Sequence, residues 1–275
     1  MIEIDKFAKN SVNSLKKMRR EILEISTKAK EGHIPSSFSI LEILYTLYGA
    51  PVLKNTQKKS LNMRDRLIFS KGHGCLALYA ILAEKKFIKK SDLKTFCEPD
   101  SILGGHPEKN KIPGVEASTG SLGHGLPIGV GMGLAAKLNK EKHKIFVILG
   151  DGEMNEGSNW EALMTASKHK LDNLTIIIDR NKLQSYGKTE EILSIEPLKA
   201  KLKSFGSEVK STDGHDVNNL KKILKKTPFK KGKVSALICN TIKGKGLNFA
   251  ENKGEWHHKS NLSVQEIDKM YNFLK

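Results

Sequence analysis

The sequence has few cysteines and no long hydrophobic run. Its three cysteines, Cys75, Cys97 and Cys239, stand far apart and form no CxxC or Cys/His spacing. We therefore expect small buried side chains rather than a metal site. No apolar run is long enough to cross a bilayer, and the first ten residues carry acids without the apolar centre of a secretory signal. These absences predict a cytoplasmic protein that does not contact a membrane.

Acidic residues are also scarce relative to basic ones. The chain has 30 Asp and Glu against 47 Lys and Arg, which gives a net charge of +17. A basic protein can bind nucleic acid, but the lysines are spread along the chain, with no zinc finger, RNP-type aromatic segment or basic arm. We therefore expect no nucleic-acid partner. Basic residues near a site would instead attract phosphorylated substrates.

Two common phosphate-binding motifs are missing. The sequence contains no GxxxxGK[ST] loop, and the glycines between Gly129 and Gly133 lack the GxGxxG spacing and follow no strand. The small residues of segment 125–138 instead predict a helix whose backbone packs closely against a neighbour.

Two apolar, β-branched runs are the clearest structural signal in the chain. Residues 144–149 and 174–179 predict buried strands, and residues 156–169 between them fit a helix. A strand, a helix and a second strand form a βαβ unit, whose strands are parallel and adjacent. The sequence therefore predicts an α/β fold.

Polar residues follow both of these strands. Asp151 follows the first strand between Gly150 and Gly152, and Asn181 follows the second. Open α/β sheets bind ligands at the carboxyl ends of their strands. A carboxylate and an amide oxygen suit Mg²⁺ or Ca²⁺ rather than zinc, and two such ligands leave room for phosphate oxygens and water. The spacing alone fits two ordinary turns equally well.

Apolar periodicity predicts the remaining elements. We expect helices over residues 5–30, 40–48, 75–85, 125–138, 196–204, 216–226 and 263–275. Strands are expected over residues 67–69, 207–210 and 233–240, and loops over residues 34–39, 98–125 and 185–191. The long loop 98–125 is rich in Gly and Pro, which favours a functional role. His215 has an ordinary structural explanation, because the Asp and Gly beside it satisfy a turn.

Several short segments carry a more specific signal: Gly32-His33, Ser70-Lys71-Gly72-His73, Gly105-His106-Pro107-Glu108, Thr119 to Gly125, Gly150 to Asn181, Thr241 to Gly246, and Trp256-His257. Together they resemble the transketolase family, whose thiamine diphosphate motif joins a GDG turn to an Asn after the next strand. The similarity extends from about residue 10 to residue 260. It implies a doubly wound, mostly parallel sheet flanked by helices, in a single thiamine diphosphate-binding domain over residues 1–275.

The resemblance also implies roles for residues at the matching positions. The metal, Mg²⁺ or Ca²⁺, would be held by Asp151, Asn181 and the backbone carbonyl of Leu183. Contacts to thiamine diphosphate would come from His73, Gly120, Ser121, Leu122, Gly152, Glu153, Asn181, Lys243 and His257. Four histidines would donate hydrogen bonds and shuttle protons near the sugar oxygens: His33, His73, His106 and His257.

The chain departs from the family pattern at three places. Ile34-Pro35 follows His33 where the family most often has Pro-Gly. His124 stands where the family has Gln, so we assign it no catalytic role. His258 stands where Gly is usual, so a shift of one residue would make His258 rather than His257 the functional position.

Full-length transketolases have further domains, one of which supplies the glutamate that activates the pyrimidine ring of the cofactor. Since this sequence ends before such a domain, the resemblance implies the N-terminal subunit of a two-subunit transketolase. The partner would be a C-terminal subunit with a pyrimidine-binding domain, in a heterotetramer of two copies of each chain. The cofactor would serve as electron sink while a two-carbon ketol unit passes from a ketose phosphate to an aldose phosphate.

Two alternatives remain open. The chain could be half of another thiamine diphosphate enzyme, such as the α subunit of a 2-oxo acid dehydrogenase or a fragment of deoxyxylulose phosphate synthase. It could also be a basic binding protein without catalytic activity. The GHPE, SKGH and WHH segments favour the transketolase assignment over the first alternative.

Overall fold

Parallel strands form the main sheet of the protein, which the computed structural model describes over residues 2–54, 63–185, 187–256, 259 and 262–274. The strands in these ranges are β1 (Arg66–Phe69), β2 (Ile145–Gly150), β3 (Leu174–Arg180), β4 (Leu183–Gln184), β5 (Gly187–Lys188), β6 (Glu208–Asp213) and β7 (Ser235–Asn240). The main sheet has the order β1-β2-β3-β7-β6, and β4 and β5 form a separate antiparallel hairpin. The predicted parallel α/β sheet is therefore confirmed.

Helices cover both faces of this sheet. They are α1 (Ile2–Ala29), α2 (Ile34–Gly49), α3 (Cys75–Glu84), α4 (Gly125–Leu138), α5 (Gly157–Lys168), α6 (Thr189–Ile192), α7 (Leu198–Ser204), α8 (Val217–Leu224) and α9 (Val264–Phe273). Helices α1, α2, α3, α8 and α9 share one hydrophobic core, and α4, α5 and α7 share the other. Among the residues that the structure describes, no helix combines the length and the apolar character that crossing a membrane requires.

Successive residues of each central strand point into different cores. In β2, Phe146 and Ile148 belong to the core of α1 and α2, whereas Val147 and Leu149 belong to the core of α4 and α5. This alternation follows from the two-residue repeat of a strand. Because both faces are covered, the strands are buried throughout and read as continuous apolar runs.

The central βαβ unit has the predicted arrangement. Strands β2 and β3 pair in parallel, with Gly150 opposite Asp179, and α5 connects them. On the other side of β3, Arg180 lies opposite Asn240 at the end of β7. The residues that follow β2, β3 and β7 therefore leave the sheet at the same edge.

Some expected boundaries were wrong. Residues 34–39, expected to be a loop, form the first turns of α2, because proline at the start of a helix loses no hydrogen bond and Pro35 stands there. Residues 185–191, also expected to be a loop, contain β5 and the start of α6. Cys97 is exposed rather than buried, whereas Cys75 and Cys239 are buried as expected.

The backbone of helix α4 lies close to β2 and to Ser70 after β1. A Cβ atom on Gly129 would lie 2.5 Å from Val147 Cγ2, and one on Gly125 would lie 2.3 Å from Ser70 Oγ. A Cβ atom on Gly131 would meet nothing within 4 Å. Close packing therefore requires glycine at positions 125 and 129 but not at position 131.

We expect Gly129→Ala to lower the free energy of unfolding by roughly 1–3 kcal/mol, because the new methyl group overlaps the rigid side chain of Val147. Gly131→Ala, the matched control, should raise it by roughly 0.5–1 kcal/mol, since alanine favours helix. Urea denaturation of the isolated chain measures both. Equal effects of the two substitutions would contradict this account of α4.

Candidate active site

A cavity of about 330 Å³ lies at the carboxyl edge of the sheet. Most of the predicted site residues line it: His33, His73, Gly120, Leu122, Asp151, Gly152, Glu153, Asn181, Leu183 and Lys243. Ser121 and His106 are exposed and lie outside this lining. His257 and His258 lie outside the described residues. A larger groove of about 850 Å³, lined by Lys17 and parts of segment 83–113, contains none of the predicted site residues. Chemistry rather than size identifies the site.

Asp151 lies at the end of β2 with 1% of its surface exposed. Its Oδ1 accepts a hydrogen bond from the Gly152 amide at 2.8 Å, and its Oδ2 accepts from Arg180 Nη1 at 2.9 Å and from the Lys182 amide at 2.5 Å. Burial raises the pKa of the Asp151 carboxyl and the charge of Asp179 adds to the rise, although Arg180 and Lys182 oppose it. A divalent cation beside this carboxylate would favour its ionised form.

Asn181 and Leu183 supply two further oxygen atoms. Asn181 Oδ1 accepts from the Leu183 amide at 3.1 Å, and the Leu183 carbonyl accepts from Lys243 Nζ at 3.3 Å. Between them, Lys182 has a φ of +66°, in the left-handed region that is uncommon for residues other than glycine. This turn brings Asn181 and Leu183 to the same cavity wall.

The oxygen atoms of Asp151, Asn181 and Leu183 are a carboxylate, an amide and a carbonyl, which is the donor set of Mg²⁺ or Ca²⁺. Each oxygen accepts a hydrogen bond in the protein and has a second lone pair. Among the described residues, no group of three His, Cys, Asp or Glu side chains could hold a metal. The donor set therefore fits a hard cation that takes its remaining ligands from a bound molecule and from water.

Lys243 is buried against the same cavity. Burial and the charge of Lys71 lower the pKa of Lys243 to about 7, although Asp151 and Asp179 oppose the shift. A bound anion would reverse this shift, because an opposite charge favours the protonated amine. The position therefore suits a diphosphate group.

Glu153 lines the cavity and is held by hydrogen bonds from three segments. Its Oε1 accepts from Ser70 Oγ and from the Gly123 amide at 3.0 Å, and its Oε2 accepts from the Gly150 amide at 3.0 Å. Burial raises the pKa of Glu153, although these hydrogen bonds oppose the rise. The carboxylate thus connects the loops after β1 and β2 with the loop before α4, and a direct cofactor contact of Glu153 stays a prediction.

Three of the four predicted histidines lie near one another. The rings of His33 and His73 are 5.8 Å apart, edge to face, and both line the cavity. The His106 ring lies over the backbone of the neighbouring loops, since Cβ atoms on Gly120 and Gly72 would stand 2.9 and 3.1 Å from its Cδ2. Their catalytic roles stay predictions.

The family model described as "Transketolase, thiamine diphosphate binding domain" matches residues 9–274. The chain belongs to the transketolase family. It is 47% identical to an apulose-4-phosphate transketolase subunit of Actinobacillus succinogenes, over 89% of this chain and 88% of that protein. It is 39% identical to a 6-deoxy-6-sulfo-D-fructose transketolase subunit of Clostridium sp., over 92% of this chain and 94% of that protein.

The fold also matches solved transketolases. The Campylobacter jejuni enzyme superposes with a TM-score of 0.83 at 30% identity, over 95% of this chain and 42% of that one. The Leishmania mexicana enzyme gives a TM-score of 0.84 at 28% identity, over 94% of this chain and 40% of that one. This transketolase-family chain therefore spans about two fifths of the length of these solved enzymes.

Sequence reasoning missed a buried ion pair behind this transketolase-family site. The side chains of Lys71 and Asp179 are both fully buried, and Lys71 Nζ contacts Asp179 Oδ2. Burial alone would raise the pKa of Asp179, but Lys71 and hydroxyl donors outweigh it, so that the pKa lies below its ordinary value. Asp179 could have indicated such a pair, because it stands near the end of an apolar strand and buried charges are rare unless paired.

A second buried network fixes the loop that carries Lys243. Arg19 donates to Glu42 Oε1 at 2.5 Å and to the Lys245 carbonyl at 2.9 Å. His215 Nε2 accepts from the Ile242 amide at 2.9 Å, so its protonated Nδ1 donates to Glu42 Oε2 at 3.0 Å. His215 is therefore structural, in agreement with the expectation from its turn.

We expect Glu42→Gln to lower the free energy of unfolding by about 3–5 kcal/mol at neutral pH, because it leaves the buried Arg19 unpaired. The Arg19 guanidinium and His215 outweigh the effect of burial and hold the pKa of Glu42 below its ordinary value of 4.5. The contribution of Glu42 is therefore fully present above that value and is lost as pH falls through the lower folded-state pKa. Urea midpoints at neutral pH and at successively lower pH below 4.5 should show the deficit shrinking.

Glu98→Gln is the matched control for Glu42→Gln. Glu98 pairs with Lys28 in solvent, with about half of each side chain exposed, so its loss should cost at most about 1 kcal/mol at any pH. A Glu42→Gln deficit that stays constant with pH would show that the ionised carboxylate does not stabilise the fold.

Proposed function

We propose that this chain is the N-terminal subunit of a two-subunit transketolase and binds thiamine diphosphate with Mg²⁺. The observation that carries the proposal is the convergence of three hard oxygen donors and one buried lysine on a single cavity: Asp151, Asn181, the Leu183 carbonyl and Lys243. Two similar proteins are named as subunits of a transketolase rather than as whole enzymes, which supports a divided enzyme.

Each part of the ligand would meet a distinct wall of the cavity. Asp151, Asn181 and the Leu183 carbonyl would hold the cation, and Lys243 and His73 would face the diphosphate. The backbones of Gly120, Leu122 and Gly152 would approach it closely. Thiamine diphosphate supplies an electron sink for the breaking and forming of carbon–carbon bonds.

The histidines would act on the sugar. His33, His73 and His106 lie near the cavity on three separate segments, where imidazoles can donate hydrogen bonds and hold or release protons at hydroxyl and carbonyl oxygens. His257 would join them, as the resemblance implies. These residues would orient the ketose phosphate and aldose phosphate between which the ketol unit moves.

An anionic substrate is consistent with the electrostatics of the chain. The net charge is +17, which raises the local concentration of anions. Two relatives are named for apulose-4-phosphate and 6-deoxy-6-sulfo-D-fructose, both anionic sugars. The partner would be a C-terminal subunit that supplies the pyrimidine-activating glutamate, in a cytoplasmic heterotetramer with two copies of each chain.

Binding of the cofactor should depend on Asp151. We expect Asp151→Asn to weaken the Mg²⁺-dependent binding of thiamine diphosphate by roughly 100-fold, or about 2.7 kcal/mol, because the cation loses its charged protein ligand. Isothermal titration of the chain, with and without its partner, measures this. Asp268→Asn, a change on the exposed face of α9, should leave binding unchanged. If the wild-type protein binds no thiamine diphosphate either with or without its partner, the proposed function is wrong.

Activity should depend on the partner. We expect no ketol transfer from the purified single chain, and transfer from a ketose phosphate to an aldose phosphate when the C-terminal subunit is added. The reason is that the glutamate needed for cofactor activation belongs to the partner. A coupled assay of aldose phosphate release measures the reaction. Ketol transfer by the single chain would refute the divided mechanism.

A further inference from the structure

We propose that Asp179 is a positioning residue that fixes the side-chain amide of Asn181, so that its oxygen and not its nitrogen faces the metal site. The inference rests on the proposed function, because it requires a cation beside Asn181. Asp179 itself lies behind the cavity wall rather than in it. It therefore acts through Asn181 and not by touching the ligand.

Every asparagine that binds a metal through its side chain can present its amide in two orientations. The oxygen and the nitrogen of an amide have nearly the same size, so a half-turn of the side chain exchanges them without a steric penalty. One orientation offers a lone pair to a cation, and the other offers an NH₂ group that a cation repels. A metal ligand of this kind needs neighbours that reject the wrong orientation.

Asn181 has such a neighbour at each end of its amide. Its Nδ2 donates to Asp179 Oδ2 at 3.3 Å, and its Oδ1 accepts from the Leu183 amide at 3.1 Å. A half-turn would place an oxygen against the Asp179 carboxylate and an NH₂ group against the Leu183 N–H. Since an ionised carboxylate only accepts hydrogen bonds, both contacts would become repulsive.

Asp179 is itself held by donors from separate parts of the fold. Lys71, after β1, and Ser39 Oγ in α2, at 2.7 Å, both contact its Oδ2, and Thr241 Oγ after β7 contacts its Oδ1. Both oxygens are engaged and the side chain is fully buried. The carboxylate therefore cannot rotate away, and it presents a fixed acceptor to Asn181.

The test exchanges the two side chains. Lys71→Met/Asp179→Asn should weaken Mg²⁺ or Mn²⁺ binding by roughly 10–100-fold at saturating thiamine diphosphate, because without the Lys71 ammonium the new amide at position 179 accepts either orientation of Asn181. Asp179→Asn alone should weaken binding less, since Lys71 donates to the position of Oδ2 and holds the amide oxygen there. Adding Asn181→Asp to that double variant should restore binding to within roughly threefold of wild type, since both ends of a carboxylate are oxygens. Titration calorimetry and Mn²⁺ electron paramagnetic resonance measure the affinities in the assembly that binds the cofactor.

Positioning is separated from stability by the choice of variants. Lys71→Met/Asp179→Asn removes both buried charges, so it leaves no unpaired ammonium and should fold. Ser39→Ala removes a hydrogen bond to the same oxygen of Asp179 but keeps the acceptor for Asn181. It should lower the unfolding temperature while leaving metal affinity within roughly twofold of wild type.

The outcomes distinguish this inference from the proposed function. Wild-type protein that binds neither the metal nor thiamine diphosphate would overturn both. Normal wild-type binding with unchanged binding in Lys71→Met/Asp179→Asn would overturn the positioning role alone. So would a triple variant with Asn181→Asp that binds as weakly as Lys71→Met/Asp179→Asn, or a Ser39→Ala variant that loses metal affinity to the same extent.

Discussion

The buried ion pair between Lys71 and Asp179 is the contact on which the geometry of the site depends. Taking two charges out of water costs roughly several kcal/mol per ion, and the attraction between them offsets this only when further hydrogen bonds satisfy both groups. Here the Ser36 carbonyl, at 3.1 Å, accepts from Lys71, and the hydroxyls of Ser39 and Thr241 donate to Asp179. The pair thereby fixes α2, the end of β3 and the loops after β1 and β7 relative to one another.

A second constraint is the close approach of backbone to the cavity. A Cβ atom on Gly152 would lie 2.9 Å from the Cβ of Gln184, and one on Gly120, at a φ of +149°, would lie 2.9 Å from His106. Neither position accommodates a larger residue without movement of its neighbour. Glycine in such loops lets backbone N–H groups reach an anion, because a larger side chain would keep the anion at a distance. The buried amide nitrogen of Gln184, which has no hydrogen-bond partner among the described residues, belongs to the same wall.

The sequence predicted the βαβ unit well because its signal is local. The apolar runs before Asp151 and Asn181 are continuous, since both faces of the sheet are covered, and the helix between them has its own periodicity. The start of α2 was missed because polar serines follow Pro35 where the pattern suggests a loop, although every one of them is buried. The hairpin β4–β5 was missed because two-residue strands have no detectable repeat.

The site was predictable only in part. The positions of Asp151 and Asn181 follow from parallel neighbouring strands, so their proximity could be expected from the residues alone. The partnership of Lys71 with Asp179 joins residues far apart in the chain, and no local pattern predicts such a pair. The proximity of His33, His73 and His106 likewise depends on three separate segments, and only the family resemblance implied it.

The electrostatics of the cavity favour a ligand that carries both signs of charge. Burial raises the pKa of Asp151 and lowers that of Lys243, so each group is disfavoured in its charged form. A cation placed alone near the Leu183 carbonyl is repelled by the Lys243 ammonium, which already donates to that oxygen. An anion placed alone is repelled by the Asp151 carboxylate. A diphosphate with its metal removes both conflicts at once, because each charge of the ligand then faces its opposite. The proposed metal and diphosphate would accordingly bind as a unit, each strengthening the affinity of the chain for the other.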